Sequence, residues 1–349
     1  MAAVQREERN MPETAPMKTL VSVEKLRVEM PLGAKGAGVP IVDGIDFSIG
    51  VGERVALVGE SGSGKSVTAR ALMRLDRYAR VSGRIDFNGT DLVKLSEREI
   101  SRYRGNEIAM VFQDPMSYLD PLMTIGDQVA ETLRIRGVGK AEARKRALSV
   151  LDELGVDKAA ERLNSHPHEF SGGMRQRVVL AMALIGEPRL LIADEPTTAL
   201  DVRIQDQVLD LLDDVSARRG LAVLFITHDL GVVAGFAERV MVMYSGRLAE
   251  DGEVENVFAR PLHPYTQGLI KAVPRIDQDL DKLYAIPGAP PAPIARPGGC
   301  AFHPRCSQSF ARCSAELPRL LTVGQGARVA CHLHDRPAND RPVNDRKEG

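Results

Sequence analysis

The chain carries no surplus of charge. Its 349 residues hold 46 Lys and Arg against 47 Asp and Glu. Without a basic field, nucleic acid is not the expected main partner. Long apolar runs are also missing. A membrane-spanning helix needs about 18 or more apolar residues in succession. The longest candidates, around Val178–Ile185 and Val240–Tyr244, fall far short. The N-terminus has no apolar signal-peptide core. Met1–Thr19 is polar, charged and contains proline, so it reads as a disordered leader, with Met11 and Met17 as alternative starts. The expectation is a cytoplasmic chain whose membrane contact comes through a partner. Cysteine is scarce: there are four, all after residue 299. In a cytosolic chain, that clustering points to a metal or cluster site rather than structural disulfides.

What the chain does have is centred on Gly59-Glu60-Ser61-Gly62-Ser63-Gly64-Lys65-Ser66. This fits the phosphate-loop pattern G-x-x-x-x-G-K-[ST]. The apolar run Val55–Val58 before it reads as a buried strand, and Val67–Met73 after it as the start of a helix. Glycines let backbone N–H groups close around a polyphosphate, and the helix N-terminus adds favourable partial charge. Lys65 supplies a mobile cation for the β- and γ-phosphates, and the Ser66 hydroxyl can ligate Mg²⁺.

The rest of the chain alternates strands with helices. Strands are expected at Leu20–Met30, Ile41–Ile49, Val81–Asn88, Ile108–Phe112, Leu190–Ala193, Ala222–Thr227 and Val240–Tyr244, the last taken as the final core strand. Pro31–Pro40 reads as a loop. Residues 122–163 read as helical, with breaks at Gly137, Gly139 and Gly155. A helix follows Ser171-Gly172-Gly173 as far as Ile185, and an amphipathic helix spans Asp201–Ser216. This order argues for an α/β sheet with packed helices and a helical insert. After about Arg260 prolines are frequent. Five of the chain's 21 lie in Pro287–Pro297, which reads as a linker or irregular wrap.

Two carboxylates end one apolar strand. Asp194 is placed to hold Mg²⁺ through water, and Glu195 to polarise water attacking the γ-phosphate. Alone, such a strand end is commonly just solvent-facing; after a phosphate loop the chemical reading gains. Gln113 and His228 also follow apolar strands, where they could sense the metal, the attacking water or the γ-phosphate. Ser171-Gly172-Gly173 is a second candidate anion site at a helix start, with an ordinary Ser N-cap as the plain alternative. Two phosphate-binding helix starts in one chain suggest a nucleotide sandwiched between two subunits.

Together these motifs resemble the ATP-binding subunits of ABC transporters. Gly59–Ser66 matches Walker A, Gln113 the Q-loop, and Ser171–Gln176 the signature loop. Leu190–Glu195 matches Walker B, Ala199-Leu200-Asp201 the D-loop, and His228 the switch histidine, all in family order. The closer likeness is to oligopeptide/dipeptide and nickel importer ATPases. It is carried by Phe112–Met116, Phe170–Arg177, Glu195–Val202 and His263-Pro264-Tyr265-Thr266. Met174 stands where the wider family has Gln, as in the peptide-importer branch. Met30–Asp46 contains no aromatic residue to match the family's adenine-stacking one.

The resemblance implies a P-loop NTPase cassette. It would have a RecA-like α/β core, an antiparallel β subdomain, a helical subdomain near 114–186 and a small cysteine-containing C-terminal extension. Expected boundaries are a leader at 1–19, the nucleotide-binding domain at 20–260, the extension at 261–334 and a disordered tail at 335–349. ATP and Mg²⁺ are the implied ligands. The nucleotide set is Gly59, Ser61, Gly62, Ser63, Gly64, Lys65, Ser66 and Val67, joined by Ser171, Gly172, Gly173 and Asp201. Ser66, Gln113 and Asp194 serve the metal, and Glu195, His228 and Gln113 the chemistry. Implied partners are two permease subunits, a second, paralogous ATPase and an extracytoplasmic solute-binding protein, at the cytoplasmic face of a membrane. The implied cargo is a di- or oligopeptide, with nickel or another small solute as alternative.

The cysteine order is Cys300-x5-Cys306-x6-Cys313-x17-Cys331, without the close pairs usual for zinc. Some members of this importer branch hold a [4Fe–4S] cluster in the extension, and four thiolates suit one. Zn²⁺ held by cysteines with His303 or His332, and free thiols, stay open. Two rival classes fit less well. A DNA-repair ATPase would carry a long heptad coiled coil, and none runs between Asp114 and Phe170. A translation-associated ABC protein would carry two cassettes, and this chain has one phosphate loop and one signature.

Overall fold

The computed structural model describes residues 18–31, 38–112, 118–196, 202–273, 284–324 and 326–335. Strands are β1 (Thr19–Pro31), β2 (Gly38–Gly50), β3 (Arg54–Val58), β4 (Arg80–Phe87), β5 (Thr90–Asp91), β6 (Ile108–Val111), β7 (Leu190–Asp194), β8 (Ala222–Thr227), β9 (Arg239–Tyr244), β10 (Arg247–Glu253), β11 (Leu321–Val323) and β12 (Ala327–Val329). The helices before β7 are α1 (Lys65–Leu72), α2 (Glu97–Ile100), α3 (Ile125–Ile135), α4 (Lys140–Glu153), α5 (Ala159–Arg162) and α6 (Gly172–Leu184). After it come α7 (Val202–Arg219), α8 (Leu230–Phe236), α9 (Val254–Ala259), α10 (Pro264–Ala272) and α11 (Ala311–Ala315).

Two sheets organise these elements. A small antiparallel sheet runs β2-β1-β4-β5, and a larger one runs β11-β12-β10-β9-β3-β8-β7-β6. Within the larger sheet β9, β3, β8, β7 and β6 are parallel. Parallel strands buried on both faces need apolar residues throughout. β8 (Ala-Val-Leu-Phe-Ile-Thr) and β7 (Leu-Leu-Ile-Ala-Asp) are accordingly buried at every position. The period of two divides their side chains between two cores. Leu190, Ile192, Leu224 and Ile226 join β1, β2 and α1 on one face. Leu191, Ala193, Val223 and Phe225 join helices α3, α4, α6 and α7 on the other. Fully burying such side chains contributes about 1.5–3 kcal/mol each, which fixes the strand ends that carry the polar residues.

The helical insert follows the glycine breaks. Thr124 caps α3 by accepting the Asp127 N–H, Gly139 precedes α4, and Gly155 stands beyond its end at φ 67°. One expectation is corrected. Val240–Tyr244 is not the last strand of the core sheet. β10 returns antiparallel beside β9, and β12 then pairs with β10. The sequence conceals this because Arg247–Glu253 is charged and lacks apolar alternation. Its buried Asp251 instead accepts hydrogen bonds from Arg239 (2.6 and 2.8 Å) and from Arg328 of β12 (2.9 Å). A third core joins Val240, Val242 and Tyr244 to Tyr265, Ala301 and Phe302 of the C-terminal region. The expected loop at Pro31–Pro40 is also narrower, since β1 extends to Pro31 and β2 begins at Gly38.

Candidate functional site

β3 delivers the chain into the phosphate loop, and α1 begins at Lys65. The loop carbonyls are turned to partners. Lys65 Nζ donates to the Gly59 and Glu60 oxygens at 2.7 and 3.1 Å. Gly246 N–H donates to the Ser63 oxygen, and Thr68 N–H to the Gly64 oxygen. Gly64 caps α1 in a left-handed conformation (φ 106°). Burial pushes the Lys65 ammonium pKa down, while Glu195, Asp194 and Glu60 pull it back up. That is the electrostatics of a cation poised for an anion.

β7 brings the acidic pair to the same place. Ser66 Oγ donates to Asp194 Oδ1 at 2.9 Å, so the two candidate Mg²⁺ ligands already adjoin. Burial pushes the Asp194 carboxyl up, against the Ser66 hydrogen bond. Glu195 lies just past the strand with φ 49°, a left-handed backbone that costs a non-glycine residue free energy. Its N–H donates to the Ile226 oxygen at 2.9 Å, which fastens it to β8. His228, just past β8, sets Nδ1 3.4 Å from Glu195 Oε2; the histidine side chain is 60% exposed and the glutamate 15%. Lys65, Ser66, Asp194, Glu195 and His228 therefore meet at the C-terminal ends of β3, β7 and β8, where open α/β sheets bind ligands.

The signature segment starts α6 as expected. Ser171 Oγ accepts the Met174 N–H, and Ser171 and Gly172 are exposed. Gln176 Nε2 donates to the Pro196 oxygen at 2.6 Å, tying α6 to the segment after Glu195. Gln113 and Asp201 lie outside the described residues, as do the leader through Met17 and the tail from Arg336.

Three residues at this site go beyond those that the sequence singles out for it. Glu60 N–H donates to Tyr265 Oη at 2.8 Å, and Arg305 holds the Glu60 carboxylate at 2.6 and 3.0 Å. The signal for Tyr265 is present in His263-Pro264-Tyr265-Thr266, which marks the family likeness without giving the tyrosine a role. Nothing in the sequence separates Arg305 from its many counterparts.

The four cysteines are free thiols. Among the described residues, no group of three or more His, Cys, Asp or Glu stands in metal-holding geometry. They are nevertheless neighbours. Burial and then the charges of Cys300, Cys306 and Cys313 push the Cys331 thiol up to about 11. The buried His332 Nδ1, next in sequence, has no hydrogen-bond partner.

Comparison with known proteins agrees with this geometry. A family profile described as ABC transporter matches residues 42–198, and one described as oligopeptide/dipeptide transporter, C-terminal region, matches 249–313. The oligopeptide transport ATP-binding protein AppD of Bacillus subtilis is 46% identical over 323 residues, 91% of this chain and 98% of that protein. The chain belongs to the ABC transporter family. Within it, the dipeptide transport ATP-binding protein DppD of Escherichia coli is 45% identical over 316 residues, covering 90% of this chain and 96% of DppD. Among solved structures, the dimeric ATP-binding cassette MJ0796 with ADP and Pi superposes with TM-score 0.59 at 28% identity, over 67% of this chain and 98% of that one. CbiO1 of Clostridium perfringens, part of the CbiONQ transporter complex, gives TM-score 0.61 at 28% identity, over 70% and 92%. This ABC subunit is thus an ATPase whose ligands are ATP and Mg²⁺.

Proposed function

We propose that this ABC ATPase powers import of di- or oligopeptides. The observation that carries the reading is the pairing of the convergent Lys65, Ser66, Asp194, Glu195 and His228 with the peptide-transporter C-terminal region. Backbone N–H groups of Gly59 and Ser61–Val67 cradle the polyphosphate, and Lys65 releases its loop carbonyls to reach the β- and γ-oxygens. Ser66, Asp194 and Gln113 would hold Mg²⁺, which when bound would offset developing charge on the phosphates. Glu195 accepts a proton from the attacking water, and His228 orients that carboxylate and the γ-phosphate. The Ser171-Gly172-Gly173 start of α6, exposed at Ser171 and Gly172, would meet the nucleotide of an opposing subunit, where the resemblance also assigns Asp201. ATP bound by both halves favours the closed dimer, and hydrolysis lets it reopen.

The working assembly contains two permeases, a second, paralogous ATPase and a solute-binding protein, at the cytoplasmic face of a membrane. The nucleotide-binding domain spans 20–260, with a helical subdomain near 114–186, and the extension spans 261–334. Cys300, Cys306, Cys313 and Cys331 would hold a [4Fe–4S] cluster, with Zn²⁺ as the other occupant. The four thiols supply donors of the kind either centre takes, and the unpartnered His332 Nδ1 suits the zinc alternative; among the described residues they do not stand in metal-holding geometry. When bound, such a centre supplies a cross-link among loops.

Uptake tests the reading. Cells carrying the native chain or Glu195→Gln are given labelled dipeptide, a longer peptide and nickel. Loss of peptide uptake alone in the variant is the expected result. Loss of nickel uptake alone transfers the reading to a metal cargo.

A further inference from the structure

We infer that the C-terminal extension is part of the nucleotide site: Arg305 and Tyr265 are positioning residues that hold Glu60 of the phosphate loop and cancel its charge. Glu60 is fastened at all three of its polar groups. Its N–H donates to Tyr265 Oη at 2.8 Å, its carbonyl accepts from Lys65 Nζ at 3.1 Å, and its carboxylate takes the Arg305 fork at 2.6 and 3.0 Å. Two of the three fastenings come from beyond residue 260.

The holders are themselves rigid. Tyr265 is fully buried, and the Arg305 side chain is only 5% exposed. The Arg305 guanidinium also donates to the Pro287 oxygen at 2.9 Å and the Tyr244 hydroxyl at 3.3 Å. It lies 5.8 Å from the ring centres of both Tyr244 and Phe302. Tyr244, Tyr265 and Phe302 form a mutually packed aromatic triad, with centroids 4.6–5.3 Å apart. The chain has only fifteen Phe and Tyr in all, so three of them on one loop contact mark a built support.

The electrostatic reason is specific. A carboxylate on a phosphate loop opposes a polyphosphate, and Glu60 is close enough to Lys65 to act on its charge. A buried guanidinium fork neutralises that carboxylate and fixes it. Arg305 sits between Cys300 and Cys306, in a turn closed by Arg305 N–H to the Phe302 oxygen and His303 N–H to the Cys300 oxygen. The turn between the first two cysteines therefore rests against the phosphate loop. The inference rests on the ATPase assignment and is independent of the cargo.

The test uses the full-length protein, with Mg-ATP hydrolysis and binding of a trinitrophenyl-ATP probe. Arg305→Gln leaves the carboxylate uncompensated, so KM and probe Kd should rise roughly tenfold with kcat within about twofold. Glu60→Gln removes the carboxylate and leaves the cation, so its KM should stay level or fall. The double variant should bind ATP better than Arg305→Gln. A purely structural contact would instead shift both single variants the same way. Equal rises in KM for the two, or an unchanged KM in Arg305→Gln, overturn the proposal. If Arg305→Gln does not fold, Glu60→Gln decides: a level or lowered KM supports it and a raised KM rejects it.

Discussion

Gly59 shows how much one residue can determine. Its φ is 150°, and a Cβ there would stand 2.2 Å from the Met243 carbonyl oxygen. That oxygen belongs to β9 in the buried core, so the neighbour cannot step aside cheaply. Gly59→Ala should destabilise the protein by about 2 kcal/mol or more and weaken nucleotide binding. Denaturant unfolding and probe binding check this; a loss under about 0.5 kcal/mol would refute the packing argument. At the same scale, Lys65, Ser66, Asp194 and Glu195 are readable from the sequence because short motifs encode their contacts. The left-handed φ of Glu195 is not, because its partner Ile226 lies on a neighbouring strand far along the chain.

Elements carry the second tier of the design. α10 begins at His263-Pro264-Tyr265-Thr266, and His263 Nδ1 accepts the Tyr265 N–H at 3.0 Å. Pro264 stands at the first helical position, where a missing N–H costs nothing. This cap aims the Tyr265 hydroxyl at Glu60. Full burial pushes the His263 pKa down to about 3 from 6.5, so the folded protein keeps the ring neutral while the unfolded chain protonates it. Between those values the unfolded state binds the extra proton, so this contribution makes stability fall as pH is lowered. From neutral pH to about pH 5 the loss from this one group should be about 2 kcal/mol. His263→Asn keeps a capping side chain and should show a correspondingly shallower decline. Urea midpoints across that range measure it, and identical slopes for the two proteins would exclude His263 as the source.

At the scale of the molecule, the C-terminal extension is short of regular structure. Its α11 has five residues and β11 and β12 three each. Segments this small rarely bury enough apolar surface to order themselves, and cross-links commonly supply the difference. The extension uses Arg328 on Asp251, Arg296 on Asp43 and Arg305 on Glu60. If the proposed cluster is held there, protein purified without oxygen contains about four iron atoms per chain and absorbs broadly in the visible. Metal analysis showing zinc alone would reassign the centre, and the absence of both metals would leave the thiols free. If a metal is bound, chelation should move the melting transition down, and melting curves before and after chelation measure that shift.

Sequence alone determined the class of this protein and pointed to the residues that meet beside its phosphate loop. Phosphate binding needs particular residue types at adjacent positions, so the Gly59–Ser66 loop, the Asp194–Glu195 strand end and the Ser171 helix start remain legible in one dimension. Apolar runs likewise located buried strands such as β7 and β8, and glycines the breaks between helices. Only the tertiary structure decided how the extension meets the cassette. β10 joins the core sheet through a buried Arg239–Asp251–Arg328 network rather than through apolar alternation, and Arg305 reaches Glu60 across 245 positions of sequence. Charged pairs formed at such separations leave no periodic trace, because either partner alone reads as an ordinary surface residue.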